Sequence, residues 1–237
     1  VTPVAGGSLG ADPLGDHFSD PTAVDVDAEL ATAAEWATRL AERAPGTHTL
    51  TIDGCRYHDR GASDATELAA TIAAAAATAR SLAAAGVADP FAAIELRIAA
   101  TADQFATIAK LRAVRILWAR VAELAGDSAA AGRSPIHAVA SRAMHTAYDP
   151  AVNVLRSTVA CFAAAAGGAD AITLWPFDTL SSDEPSELGR RLARNTQSIL
   201  MLESHLPTVV DPAGGSWYVE RRTTELAAAA WEQLREI

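Results

Sequence analysis

The densest group of reactive side chains lies in the run Gly-Cys-Arg-Tyr-His-Asp-Arg-Gly-Ala-Ser at 54–63. A thiol, a guanidinium, a phenol, an imidazole and a carboxylate follow one another at Cys55, Arg56, Tyr57, His58 and Asp59, directly after a β-like run. An imidazole placed there could polarise a carbonyl or move a proton, chemistry that requires it within hydrogen-bond reach of the reacting atom. A histidine beside an aspartate at a strand end is more often structural or solvated. Arg56, Tyr57 and His58 are therefore the candidates, and none of them is assigned a catalytic role. Asp183 and Glu184 read as a solvated acidic loop before a helix, not as an acid/base pair. Asp64 and Glu67 suit a helix N-terminus, where carboxylates complement the dipole. Neither reads as a metal ligand. Cys55 and Cys161 stand too far apart in sequence for a disulfide framework or zinc spacing, which fits a reducing compartment.

Two further stretches read as structural. Asp-Pro-Ala-Gly-Gly-Ser-Trp-Tyr at 211–218 combines proline and paired glycines in a tight turn that would dock an aromatic pair. Arg-Asn-Thr-Gln at 194–197 could anchor a loop or a subunit contact, because its side chains can satisfy buried carbonyls.

The elements that must position these residues follow from composition and periodicity. With 237 residues, half of them apolar and a fifth charged, the chain can bury one sizeable core. A formal charge of −10 repels phosphate backbones and anionic lipid, so neither nucleic acid nor a membrane is an expected partner. Arg80, Arg97, Arg112 and Arg120 interrupt the long alanine-rich stretches, and no apolar run reaches the roughly 20 residues of a bilayer span. The expected location is the cytoplasm. The chain starts at Val1 and ends at Ile237 inside a helix-like pattern, so a piece of a longer polypeptide is expected. Lys110 stands alone among many arginines and carries no assigned chemistry.

Short β-like runs near 50–52, 94–98, 136–140 and 171–175, with a weaker one near 8–11, alternate with longer helical runs. That alternation predicts an α/β fold around a parallel sheet. Helices are predicted at about 27–43, 63–85, from a Thr101 to Gln104 capping box to Gly126, from an Asp149-Pro150 start to Gly167, at 187–205, and from about 223. In the third of these, Ile108, Leu111, Val114, Trp118, Val121 and Ala125 form the inner face, with Arg112, Arg120 and Glu123 opposite. The βα units in series resemble part of a (β/α)₈ barrel.

Four stretches carry a closer likeness: Ile-Ala-Lys-Leu-Arg at 108–112 continuing to Leu117-Trp118; Tyr-Asp-Pro at 148–150 with Asn153 and Arg156; Arg-Asn-Thr-Gln at 194–197; and Val-Asp-Pro-Ala-Gly-Gly-Ser-Trp-Tyr-Val-Glu at 210–220. Together they resemble the adenosylcobalamin-dependent methylmalonyl-CoA mutase family. Residues 54–63 and 100–105 are most similar to the small, β-type subunit of its two-chain bacterial members. The resemblance implies the C-terminal part of a (β/α)₈ acyl-CoA barrel, about strands four to eight, over residues 1–237. The cobalamin-binding domain is then absent, since no histidine here sits in the family's Asp-x-His-x-x-Gly context.

The resemblance also implies that this chain is not the catalyst. Catalytic subunits place Tyr-His directly after the glycine matching Gly54, where the imidazole serves the thioester carbonyl. Here Cys55 and Arg56 stand at those positions, and Tyr57-His58 is displaced by two residues. Val139 and Ala140 stand for glutamine and threonine, Arg142 for glycine, Tyr148 for glutamine, and Leu174-Trp175 for threonine and asparagine. Leu174 and Trp175 are thus expected to fill the bore that a pantetheine arm would need. The implied role is a structural subunit of the complex that interconverts methylmalonyl-CoA and succinyl-CoA. Its large catalytic subunit would be the heterodimer partner and would carry the adenosylcobalamin. The alternatives are a catalytic barrel with a rearranged site, in which His58 polarises the thioester, and a non-enzymatic half-barrel scaffold.

Overall fold

The computed structural model describes residues 6–181 and 183–237, so Ser182, in the serine-rich and acidic loop, lies outside them. In chain order the elements are β1 (Gly7–Ala11), α1 (Pro13–Ser19), α2 (Val26–Arg43), β2 (Thr47–Asp53), α3 (Cys55–His58), α4 (Asp64–Ala84), β3 (Ile94–Ala100), α5 (Gln104–Leu124), β4 (Ile136–Ala140), α6 (Val152–Ala166), β5 (Ala171–Thr173), α7 (Glu187–Leu202) and α8 (Trp217–Leu234). All five expected strands are present and form one parallel sheet in the order β1-β2-β3-β4-β5. Because the order never reverses and parallel crossovers share one hand, successive helices fall on one face. A sheet wound in both directions would instead show a switch point. The sheet is therefore an arc consistent with part of a barrel. β5 stops at Thr173, short of the expected Trp175; among the described residues it pairs with β4 alone.

Alternation along the strands separates two faces. Leu50 and Ile52 of β2, Ile94, Leu96 and Ile98 of β3, and Ile136 and Ala138 of β4 pack into one core with Leu68 and Ile72 of α4 and Leu111 and Trp118 of α5. The register aligns Thr51 with Glu95, Asp53 with Arg97, Arg97 with His137, and Val139 with Thr173 on the opposite face, which is mostly polar.

The helix ends show which local signals prevailed. Ser63, expected as the first residue of its helix, caps α4 instead, accepting the Thr66 amide at 3.2 Å. The capping box at Thr101 does not form. Asp103 caps α5 instead, accepting the Ala106 amide at 3.0 Å, while the Thr101 amide donates to the Thr107 hydroxyl. A carboxylate is the stronger acceptor for an exposed N–H. Asp149 and Pro150 lie in a turn ahead of α6, whose cap is Ala151 with no side-chain bond. α7 ends at Leu202, before the left-handed His205. α8 starts at Trp217, well before the expected 223, because Glu220 accepts the Gly215 amide and pairs with Arg112 across the turn.

α5 differs from the expected outer helix. Ile108, Leu111, Val114 and Trp118 are buried as predicted, and Arg120 and Glu123 pair with each other in solvent. Its other side, however, is covered by α8, through Val219, Thr223, Ala227 and Ala230. Arg112 is consequently largely covered; Lys110 is fully buried toward α4, and Ala125 is exposed beyond the helix end. Among the described residues no helix is long and apolar enough to cross a membrane.

Gly54 joins β2 to α3 at a point of close approach. A Cβ there would lie 2.5 Å from Thr71 Oγ1 and 2.9 Å from the Arg97 carbonyl oxygen. Because the second obstacle is strand backbone, Gly54→Ala is expected to cost about 1–3 kcal/mol, read as a lowered thermal midpoint of the full-length protein. An unchanged midpoint would contradict this packing.

Candidate functional site

The run from Cys55 to His58 is one helical turn, not the extended strand end that the sequence suggests. Successive side chains on a helix point about 100° apart, so Arg56, Tyr57 and His58 fan out and do not converge on one reacting atom. Arg56 turns toward α1, where it donates to Asp16 at 2.7 Å, to the Gly15 carbonyl at 3.0 Å and to Ser19 at 3.1 Å. Its Nε lies 3.5 Å from Asp12 and 3.9 Å from Asp53. Asp12 is buried because it ties three segments together. It caps α1 through the Gly15 amide and accepts the Asp53 amide at the end of β2. Burial raises its carboxyl above the ordinary value, although those amides and Arg56 pull it down.

Tyr57 packs its ring against Phe18 at 4.9 Å, and burial, followed by Asp12, pushes its phenol up. The Cys55 thiol is raised well above its ordinary value by burial and then by Asp53 and Glu67, which leaves little thiolate. His58 points inward: its Nε2 is 2.7 Å from Ser141 Oγ and its Nδ1 is 3.6 Å from Glu67 Oε2.

Behind His58 lies a buried charge cluster that the sequence reading does not contain. Lys110 of α5 donates to Glu67 at 2.8 Å and to Asp64 at 2.9 Å. The side chain of Lys110 is 1% exposed and that of Glu67 is 0% exposed. Glu67 also accepts the Ala99 amide at 2.8 Å, linking α4 to β3. Burial pushes the Lys110 amine down, but Glu67 and Asp64 outweigh it and hold the ammonium above its ordinary value. His58, Asp64 and Glu67 bring ligand atoms within 4.8 Å of one another, yet the ammonium already holds the place a cation would take among them. Asp64 and Glu67 do sit in the first turn of α4, as their dipole reading requires. The available signal for Glu67 was Lys110 itself, the lone lysine, inside an apolar helix.

The polar face of the sheet carries a second network. Ser8 and Thr51 hydroxyls meet at 2.7 Å, and Thr51 donates to Glu95 at 3.2 Å. His137 reaches Glu95 at 3.2 Å through Nδ1 and Thr173 at 2.8 Å through Nε2. This belt crosses all five strands. Burial raises Glu95, but the His137 hydrogen bond, then Arg97 and Thr51, hold it below the usual carboxylate range. Nearer the carboxyl ends, Arg97 donates to Asp53 at 3.4 Å.

The expected apolar lining is corrected here. Leu174 and Ala140 pack with Cys161 of α6 in the helix layer, and Trp175 packs against the same group. Alternation therefore turns Leu174 away from the polar face. That face carries Thr51, Glu95, Arg97, His137 and Thr173, joined to one another, with Val139 beside them. Arg142 is exposed and stacks over Trp175 at 5.3 Å, and Tyr148 is 99% exposed.

The remaining motifs are structural in different ways. Residues 211–218 are held chiefly by Arg112, which pairs with Asp211 and Glu220, and not by a docked aromatic pair: Trp217 is 91% exposed and Tyr218 meets Phe105 edge-on at 5.5 Å. Arg194 and Asn195 are exposed on α7 and make no side-chain hydrogen bond among the described residues, so they anchor no loop. Asp183 is exposed, as a solvated loop requires.

The histidines do not fit the lower axial ligand of a corrin. His48, His58, His137 and His145 hydrogen-bond within the fold, to the Ala92 carbonyl, Ser141, Glu95 with Thr173, and Ser157. His17 and His205 lie on exposed segments.

A profile of the family described as methylmalonyl-CoA mutase matches residues 4–237. The chain belongs to the methylmalonyl-CoA mutase family. Over 233 residues it is 53% identical to a protein of Streptomyces virginiae named methylmalonyl-CoA mutase small subunit, covering 98% of this chain and 37% of that protein. The small subunit of Propionibacterium freudenreichii subsp. shermanii is 39% identical over 232 residues, 97% of this chain and 36% of that protein. A Rhizobium meliloti methylmalonyl-CoA mutase is 34% identical over 200 residues, 83% of this chain and 28% of that protein. The chain thus spans little more than a third of the length of its small-subunit relatives. The names of these relatives describe a mutase and its small subunit.

Proposed function

We propose that this chain is the later part, about strands four to eight, of the acyl-CoA barrel of a small, structural mutase subunit. Its partner is a large catalytic subunit, which carries the adenosylcobalamin and interconverts methylmalonyl-CoA and succinyl-CoA in the cytoplasm, in propionate metabolism. The cofactor supplies the radical when bound. This chain supplies interface and stability.

One observation carries the reading. At the two positions after Gly54, where the family resemblance expects a tyrosine and a thioester-binding histidine, stand a half-buried thiol and an arginine engaged by Asp12, Asp16 and Asp53. An arginine held by three carboxylates cannot swing to a thioester without leaving buried charge unpaired, which costs several kcal/mol. The belt from Ser8 to Thr173 further supports a face whose polar groups satisfy each other and leave few to bind an acyl-CoA arm.

The test is stoichiometry. The full-length subunit, co-purified with the large subunit, is titrated with acyl-CoA in equilibrium dialysis. One equivalent bound per heterodimer is expected. Two equivalents would restore the reading in which His58 polarises a thioester in this chain.

A further inference from the structure

Ser141 follows β4 at the carboxyl end of the sheet, the side on which parallel barrels place their chemistry. Its hydroxyl lies 2.7 Å from Nε2 of His58. The other ring nitrogen, Nδ1, is buried, has no hydrogen-bond partner among the described residues and lies 3.6 Å from Glu67 Oε2. Glu67 is itself fixed by the Ala99 amide and Lys110. Hydroxyl, imidazole and oriented carboxylate in series are the arrangement that activates a serine nucleophile, on whatever fold it occurs.

We propose that Ser141, His58 and Glu67 form a nucleophilic triad that is acylated by small, activated carboxylic esters. With the ring proton on Nδ1, 3.6 Å from Glu67 Oε2, Nε2 is left to accept the Ser141 proton. The amides of Arg142 and Ala143, the two residues after the serine, make no hydrogen bond among the described residues, and both residues are exposed. They are free to receive an oxyanion. Ser141 is 3% exposed, which restricts the acyl group to a small one.

The step balances without a further reagent. Ser141 Oγ attacks the ester carbonyl carbon while His58 takes the hydroxyl proton. The bond to the alcohol oxygen breaks, and that oxygen leaves with the proton from His58. Water then attacks the acyl carbon and gives a proton to His58. Ser141 Oγ leaves with that proton, releasing the carboxylic acid. Lys110 is a positioning residue in this scheme, holding Glu67 in place.

The experiment uses the full-length subunit in its complex. A fluorophosphonate probe is added to native and to denatured protein, and the labelled peptide is mapped by mass spectrometry. Ser141 is expected to label about 100-fold faster in the native protein, the scale of general-base assistance. Prior treatment with p-nitrophenyl acetate should block that label. His58→Gln, which can still hydrogen-bond Ser141 but cannot act as a base, should slow labelling by about 100-fold. Native Ser141 that labels no faster than denatured protein, or labelling indifferent to His58→Gln, would overturn the triad. Should that variant fail to fold, the native-to-denatured ratio and the acetate block decide the matter alone.

Discussion

Lys110→Met is expected to destabilise the full-length protein by about 3–5 kcal/mol, the cost of leaving a buried charge without its partner. Lys110 and Glu67 are both buried, so the carboxylate that loses its ammonium is not already screened by solvent. Removal of the lysine leaves Glu67 to protonate or to draw in solvent, and either loosens its hold on the Ala99 amide. A thermal midpoint lower by about 10 °C would be the corresponding shift. Glu67→Gln in the same background should recover part of the loss. A neutral amide needs no counter-charge and still offers an oxygen to Ala99, so the two changes should be strongly non-additive in a double-mutant cycle. Simple addition of the two single effects would mean that the pair is not coupled as its 2.8 Å separation indicates.

Asn153→Ala is the second large effect, expected at about 3 kcal/mol. Asn153 is fully buried near the start of α6. Its Oδ1 accepts the Thr146 amide at 3.0 Å, and its Nδ2 donates to the Thr146 carbonyl at 2.8 Å and the Phe177 carbonyl at 2.9 Å. Each bond contributes about 1 kcal/mol, and truncation leaves the partners unpaired. Asn153→Asp should be worse than alanine, because it buries a carboxylate against two carbonyl oxygens. Hydrogen exchange at the Thr146 amide reports the effect directly. Protection there that survives Asn153→Ala would refute this account of how the β4–α6 loop is held.

Much of the architecture was legible in the residues. Leu50, Ile94, Ile136 and Ile172 mark strands because apolar β-formers recur between helical runs, and the alternation alone implies a parallel sheet. Ser63 marked the start of α4 to within one residue, and in the fold its hydroxyl caps that helix. Thr101 misled because Asp103, two residues on, competes for the same exposed amides. Arg56, Tyr57 and His58 were visible as reactive types, but their divergence was not. A single helical turn in place of two extended residues reassigns each side chain to a different neighbour.

Periodicity, charge and the motif residues thus determined the class of fold, the order of its elements and the family to which the chain belongs, because each depends on neighbours within a few positions. Folding in three dimensions decided the rest. α5 packs against α4 and brings Lys110 onto Glu67, more than forty positions apart. Strand register brings Ser8, Thr51, Glu95, His137 and Thr173 into one belt and turns Leu174 to the helix layer. These outcomes depend on which distant groups meet and exclude water together, and no local pattern of residues records that.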